Sequence, residues 1–158
     1  MLQFTVKGIA LEQKTRLPLV LLHNAVKNIL LPLHVGPFEA SAIIVEMEGV
    51  QPPRPLTHDL LAQIFSKHKF KLMGVEVYRC LEDKQLARIR YRNKLSTYTM
   101  EVRPSDGIAL AIRLSAPIYV ENDVVKSLAQ EHDYFYDSDL SRSEILYLES
   151  QKSGITLM

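Results

Sequence analysis

The sequence has a single cysteine, Cys80, and no glycine-rich loop of the kind that cradles phosphate. One cysteine excludes an intrachain disulfide and a cysteine-rich metal cage. The N-terminus lacks a basic segment followed by an unbroken apolar run, so no signal peptide is expected. The most apolar stretch, residues 17–35, is interrupted by histidine, asparagine and lysine, which argues against a membrane span. We therefore expect a cytoplasmic protein with no membrane segment.

The sequence also has little excess charge, because its formal net charge is only +1. Binding to nucleic acid would therefore need a local basic patch. The length of 158 residues predicts one domain with a sizeable core. We expect this domain to occupy residues 1–130 and an acid-rich tail to occupy residues 131–158, with one short helix at residues 141–149.

Short or alternating apolar runs predict seven strands, and longer segments with helix-start signals predict four helices. The strands are expected at residues 2–11, 18–22, 29–35, 72–80, 86–92, 97–102 and 116–120. The helices are expected from Pro37 to Gly49, from Thr57 to about Lys69, from Pro104 to Leu114 and from about Asn122 to Glu131. This order predicts an α/β (α+β) fold with a mixed, largely antiparallel sheet and packed helices.

Two of the predicted helices carry further signals. Thr57 is expected to cap the second helix, and the apolar face of that amphipathic helix is expected to lie against another surface. That face consists of Leu60, Leu61, Ile64, Phe65 and His68. The third helix is apolar almost throughout, which predicts that it is covered on both sides.

Two segments of the sequence, residues 35–46 and 102–113, echo each other. Their alignment places Pro37 on Pro104 and Glu39 on Asp106. Each segment reads as a strand followed by a helix with proline at its first position and an acid in its first turn. A duplicated strand–helix unit would explain the echo, and so would a chance match.

Acidic side chains occupy the first turn of three predicted helices, at Glu39, Asp59 and Asp106. If these carboxylates converge, they could bind Mg²⁺, which prefers oxygen ligands, and the metal could activate water. The alternative is that each acid only stabilises its own helix N-terminus. His58 could act as a general base or orient a water, and the alternative is an ordinary exposed residue.

A row of basic residues lies in the predicted strand at residues 86–92. Arg88, Arg90 and Arg92 alternate with other residues, so they share one face of the strand. Three guanidinium groups in a row could follow a phosphate backbone. The alternative is a solvated outer face of the sheet.

Three stretches resemble the bifunctional nuclease family, small bacterial and plant domains described as acting on both DNA and RNA. They read LPLHVGPFEASAI, PPRPLTHDLL and RPSDGIALAIRLSAPIYV, and the resemblance covers about residues 17–125. It implies an α/β fold, nucleic acid as partner and a homo-oligomer, with a dimer as the expected state. The positions that match the pattern are Gly36, Glu39, Ala40, Pro53, Arg54, Pro55, Thr57, His58, Asp59, Arg103, Pro104, Ser105, Asp106 and Arg113.

The prediction is thus a nuclease that hydrolyses phosphodiester bonds with the help of a divalent cation, Mg²⁺ in particular. Glu39, Asp59 and Asp106 would hold the cation, and His58 would complete the catalytic group. The substrate would be bound by Arg54, Thr57, Arg103, Ser105, Arg113, Arg88, Arg90 and Arg92. One alternative is a non-catalytic regulatory module that binds nucleic acid or protein, in which the same charges form a structural network. Another is a pocket for a small molecule or nucleotide.

Overall fold

The computed structural model describes residues 1–12 and 15–131. Within them, seven strands and four helices follow each other in the predicted order. Their bounds are β1 (Leu2–Leu11), β2 (Pro18–Asn24), β3 (Ile29–His34), α1 (Pro37–Met47), α2 (Thr57–Lys67), β4 (Lys71–Leu81), β5 (Lys84–Arg92), β6 (Thr97–Val102), α3 (Pro104–Arg113), β7 (Ile118–Val120) and α4 (Asn122–Glu131). The predicted helix at residues 141–149 lies outside the described residues. No helix among the described residues is both long enough and apolar enough to cross a membrane.

The strands form one sheet in the order β3-β2-β1-β7-β4-β5-β6. Neighbouring strands are antiparallel except β4 and β7, which form the parallel pair among the described strands. The short strand β7 therefore joins two antiparallel halves, β1 to β3 and β4 to β6. This arrangement confirms the prediction of an α+β fold with a mixed, largely antiparallel sheet.

Helix α3 connects the edge strand β6 to the central strand β7 and contacts β4 and β5 on the way. Its residues Ser105 and Gly107–Ala111 are buried, as its apolar sequence predicts. Gly107 allows this close contact, because a Cβ atom there would lie 2.8 Å from Cγ1 of Val75 on β4. Helices α1 and α2 in turn contact α3, so α3 is the element that brings the other two helices together.

The predicted apolar face of α2 is only partly buried. Leu60, Leu61 and Ile64 are exposed, while the helix buries Phe65 and His58. The Phe65 ring lies 5.3 Å from that of Tyr91, and the His58 imidazole faces α3, so two tertiary contacts decide the rotation of the helix about its axis. The predicted cap is also shifted by one residue: the N-cap is Leu56, whose backbone N–H donates to the Asp59 carboxylate at 2.9 Å.

Candidate active site

Helices α1, α2 and α3 begin around a single cleft of about 1010 Å³. The cleft is open to solvent at the first turns, where the backbone N–H groups of each helix lack helical partners and favour negative charge. Its lining includes Phe38, Glu39, His58, Arg103 and Asp106. The two echoed segments therefore meet in space, because Glu39 of α1 and Asp106 of α3 line the same cleft.

Arg103, the N-cap residue of α3, bridges the two echoed acids. Its Nη2 donates to Oε1 of Glu39 at 2.7 Å, and its Nε and Nη2 donate to Asp106 at 2.6 and 3.1 Å. The hydrogen bond and the negative charge of Asp106 raise the pKa of Arg103 above its usual value, and Glu39 adds to this effect. Among the described residues Nη1 has no partner, and the side chain is 66% exposed, so the guanidinium retains donors for an anion in the cleft.

Asp106 also accepts a hydrogen bond from His58. The distance from Nε2 of His58 to Oδ1 of Asp106 is 3.0 Å, and the imidazole is buried, so the alternative of an ordinary exposed histidine is wrong. Partial burial opposes the ionisation of Asp106, but hydrogen bonds from Arg103 and His58 outweigh it and lower the pKa of this carboxyl group. Asp106 is therefore charged at neutral pH. A neutral His58 then carries its proton on Nε2, which leaves Nδ1 as the basic nitrogen.

Gly36 makes room for the Glu39 carboxylate. The φ angle of Gly36 is −71°, which any residue can adopt, so the backbone does not require glycine there. A Cβ atom at this position would instead overlap Oε2 of Glu39. The Glu39 side chain thus folds back over the residue that precedes its helix, and the absence of a side chain at Gly36 keeps it beside Arg103.

Asp59, the third predicted metal ligand, belongs to a separate ion pair. Its Oδ1 accepts a hydrogen bond of 2.7 Å from Nε of Arg113, whose side chain is only 3% exposed. The other nitrogens of Arg113 donate to the carbonyl oxygens of Ala109 and Ala42, each at 2.9 Å. Burial opposes the ionisation of Asp59, but the bonds from Arg113 and Leu56 lower its pKa overall.

The three carboxylates therefore do not fit a single metal site. Glu39 and Asp106 are held by Arg103, whereas Asp59 is held by Arg113. Among the residues that the structure describes, no group of three or more histidine, cysteine, aspartate or glutamate side chains is placed to hold a metal ion. The sequence could not show this separation, because each acid occupies the same local position at the start of its helix.

The predicted substrate-binding residues fall into different environments. Thr57 is exposed and lines the cleft, Arg54 is exposed in the segment before α2, and Ser105 is buried in α3. Arg113 lies outside the residues that line this cleft: its guanidinium is bonded to Asp59 and to two backbone carbonyl groups, so it is part of the packing between helices. Arg113 thus joins Ala42 and Ala109, which are equivalent positions in the two echoed segments.

The arginine row lies on the face of β5 opposite to its buried residues, as the alternation predicts. Arg88 donates from Nε to Glu76 at 2.6 Å, and Nη1 of Arg90 lies 3.6 Å from the same carboxylate, which is buried. Arg88 also lies over the ring of Tyr78. Arg92 is exposed at the end of the strand. The row is therefore partly neutralised by an acid, Glu76, that the sequence pattern did not single out.

Phe38 was not a predicted site residue, yet it is 87% exposed on the wall of the cleft. The sequence carries one signal for it: Phe38 aligns with Ser105 in the echo, so an aromatic ring in one segment takes the place of a small polar residue in the other. Glu101, on β6, also lines the cleft. It accepts a hydrogen bond of 2.5 Å from the Tyr78 hydroxyl, and this bond raises the pKa of Tyr78.

Comparison with known proteins identifies the family of the chain. Residues 20–133 match the bifunctional nuclease domain. The chain belongs to the bifunctional nuclease domain family. It is also 38% identical over 120 residues to two uncharacterized proteins from two strains of Mycobacterium tuberculosis, and the match covers 76% of this chain and 71% of each relative. The match to the family includes all three helix starts and the residues that line the cleft between them.

Membership of the bifunctional nuclease domain family confirms the resemblance found in the sequence. It associates the chain with nuclease function and nucleic acid, while the two relatives add no activity of their own, because both are uncharacterized. Within the matched residues, His58, Asp106 and Arg103 combine an imidazole, a carboxylate and a guanidinium in one open cleft.

Proposed function

We propose that this chain hydrolyses phosphodiester bonds in DNA, RNA or both, and that the reaction takes place in the cleft between the starts of α1, α2 and α3. The observation that carries the proposal is the contact of Asp106 with both His58 and Arg103, at 3.0 and 2.6 Å. One carboxylate thereby orients a potential base and a potential phosphate ligand. This arrangement supplies the two functions that a phosphodiesterase needs, activation of water and stabilisation of negative charge.

In this mechanism, Nδ1 of His58 takes a proton from water as the water oxygen forms a bond to phosphorus. The bond from phosphorus to the leaving oxygen breaks, and the leaving oxygen takes up a proton from the imidazolium or from solvent. Asp106 holds the imidazole in the required tautomer and stabilises its charged form. Arg103 donates from Nη1 to a phosphate oxygen on which negative charge develops.

A divalent cation, with Mg²⁺ as the first candidate, remains a separate proposal. Glu39 and Asp106 carry two negative charges against one positive charge on Arg103, so the group is formally negative when His58 is neutral. An anionic substrate would be repelled by this excess, and a cation would reduce the repulsion. The test is to measure hydrolysis after EDTA treatment and again after Mg²⁺ is restored. Activity that is equal in both conditions would contradict the cation proposal and leave the roles of His58 and Asp106 intact.

The nuclease proposal is tested with labelled DNA and RNA oligonucleotides and the variants His58→Asn and Asp106→Asn. We expect the rate of hydrolysis to fall by about 10²- to 10⁴-fold, the usual contribution of general acid–base catalysis. The matched control is His68→Asn, because His68 is exposed near the C-terminal end of the same helix. If His58→Asn retains the full rate of hydrolysis, the assignment of His58 is wrong.

A second candidate is a non-catalytic module that binds nucleic acid or protein. The observation that favours it is that all three acids of the helix starts are paired with arginine, which is how a structural network would also look. The two candidates predict different results for His58→Asn and Asp106→Asn. Loss of hydrolysis with an unchanged melting temperature supports the nuclease, whereas a lower melting temperature in a protein that hydrolyses nothing supports the module.

The assembly and the compartment remain proposals as well. We propose a homo-oligomer, with a dimer as the expected state, and a cytoplasmic location. The exposed apolar side chains of Leu60, Leu61 and Ile64 on α2 support an assembly, because contiguous apolar surface often marks contact with another protein. Sedimentation equilibrium measures the mass directly, and a monomer at all concentrations would contradict the oligomer.

A further inference from the structure

We propose that Phe38 is a stacking platform for an unpaired base, which would make the cleft selective for single-stranded nucleic acid. This inference rests on the nuclease function proposed above. Phe38 follows the first residue of α1 and immediately precedes Glu39, so its ring is attached to the same helical turn as an acid of the site. It lines the cleft together with His58, Arg103 and Asp106, and it is 87% exposed.

The packing of α1 does not account for the ring. The helix buries Ala40, Ala42 and Ile43, so its inward face consists of residues other than Phe38. The aromatic pairs among the described residues join Phe65, Phe70, Tyr91 and Tyr98, and none of them includes Phe38. A phenyl ring left in water forgoes the stabilisation that burial would bring, so burial in the described part of the fold does not explain its position.

The groups beside the Phe38 ring indicate which ligand it would bind. Arg103 offers hydrogen-bond donors to a phosphate, and Phe38 offers an aromatic face on the same cleft, so the two together suit a nucleotide unit of a chain. Stacking on an aromatic side chain needs a base whose face is free. In a duplex both faces of each internal base are covered by neighbouring bases, so a single strand can use Phe38 and a duplex cannot.

The test measures binding of a fluorescent single-stranded oligonucleotide, and of the same strand in a duplex, to the full chain and its variants by anisotropy. We expect Phe38→Ala to weaken binding of the single strand by about 5- to 150-fold, the range for loss of one stacked base, and to leave duplex binding unchanged. Phe38→Trp should retain the affinity, while Phe38→Leu, which is apolar but lacks an aromatic face, should behave like the alanine variant.

The matched control is Leu95→Ala, because Leu95 is equally exposed, at 91%, in the turn between β5 and β6 and away from the cleft. This variant should bind both oligonucleotides as the unmodified chain does. We expect Phe38→Ala to keep the melting temperature of the unmodified chain, because the side chain is exposed. An unchanged melting temperature would show that the variant is folded when its affinity is measured.

The other outcomes separate this inference from the nuclease proposal. Suppose that the unmodified chain hydrolyses nucleic acid but Phe38→Ala binds single strands as tightly as before, or loses affinity for the single strand and the duplex equally. The stacking role is then wrong and the nuclease proposal stands. If Phe38→Ala has a smaller mass in solution, Phe38 belongs to an interface between chains, and the stacking role is again wrong. If the unmodified chain neither binds nor hydrolyses any nucleic acid, both proposals fail.

Discussion

Arg113 and Asp59 are 54 positions apart in the sequence, yet Nε of Arg113 lies 2.7 Å from Oδ1 of Asp59 in the structure. The pair joins the C-terminal end of α3 to the first turn of α2. Two further bonds from the same guanidinium reach the backbone of α3 and of α1. One arginine thus connects all three helices that begin around the candidate active site.

Replacement of Arg113 tests this structural role. We expect Arg113→Met to lower the free energy of unfolding by about 3 kcal/mol, because it leaves two backbone carbonyls and a partly buried carboxylate without their partner. Urea denaturation measures the change. Lys126→Met is the control, because Lys126 is 75% exposed and its Nζ lies 3.9 Å from the exposed carboxylate of Asp123. A change below about 0.5 kcal/mol, the size expected for a surface substitution, would contradict the role.

Gly36→Ala tests the position of Glu39. The new methyl group would displace the Glu39 carboxylate, which lies at the flexible end of its side chain, so the backbone can keep its fold. We expect a melting temperature close to that of the unmodified chain and a kcat/KM for oligonucleotide hydrolysis that is lower by about 10- to 100-fold, as for a misplaced catalytic group. Glu39→Gln should give a similar loss. The control Ser66→Ala, at an exposed position of α2 that does not line the cleft, should have no effect. Full activity of Gly36→Ala would show that Glu39 is not needed beside Arg103.

Within the arginine row, we expect Arg88 to stabilise the fold and Arg92 to bind nucleic acid. Arg88→Ala leaves the buried carboxylate of Glu76 with the more distant Arg90, so we expect lower stability, seen as a lower urea midpoint.

Arg92 is exposed and is free to contact phosphate. Arg92→Ala should therefore weaken the binding of all oligonucleotide sequences alike. The slope of the logarithm of the binding constant against the logarithm of the salt concentration should become smaller by about 1, the value for one phosphate contact. An unchanged salt dependence in Arg92→Ala would place the nucleic acid elsewhere.

Stability should fall in acid because of Asp59 and Asp106. Hydrogen bonds lower the pKa of both carboxyl groups below the unfolded value of 3.8 in spite of partial burial. Their contribution to the free energy of unfolding is therefore fully present above that value and is lost as the pH falls through the lower folded pKa. Urea denaturation at a series of pH values measures this loss. The free energy of unfolding should fall less at low pH in Asp59→Asn and in Asp106→Asn than in the unmodified chain. Asp123→Asn, at a 98% exposed side chain, should follow the unmodified chain.

Much of the fold could be predicted because its signals are local. Proline at the first position of α1 and α3 and the alternation of apolar residues in β4 to β6 each act within a few residues, and the observed bounds agree with the predictions to within a few residues. The face of α2 could not be predicted in this way. Its helical spacing allows several buried faces, and the contacts of His58 and Phe65 with distant residues select one of them.

By itself, the sequence determined the order of the elements, the mixed sheet and the three acid-bearing helix starts that mark the family. The tertiary structure alone decided how those acids are used. Glu39 and Asp106 face Arg103 because α1 and α3 are in contact, whereas Asp59 turns to Arg113 at the other end of α3. The physical reason is that a charge at a helix start is favourable whatever its neighbours, so only the packing of the helices selects the partner of each acid.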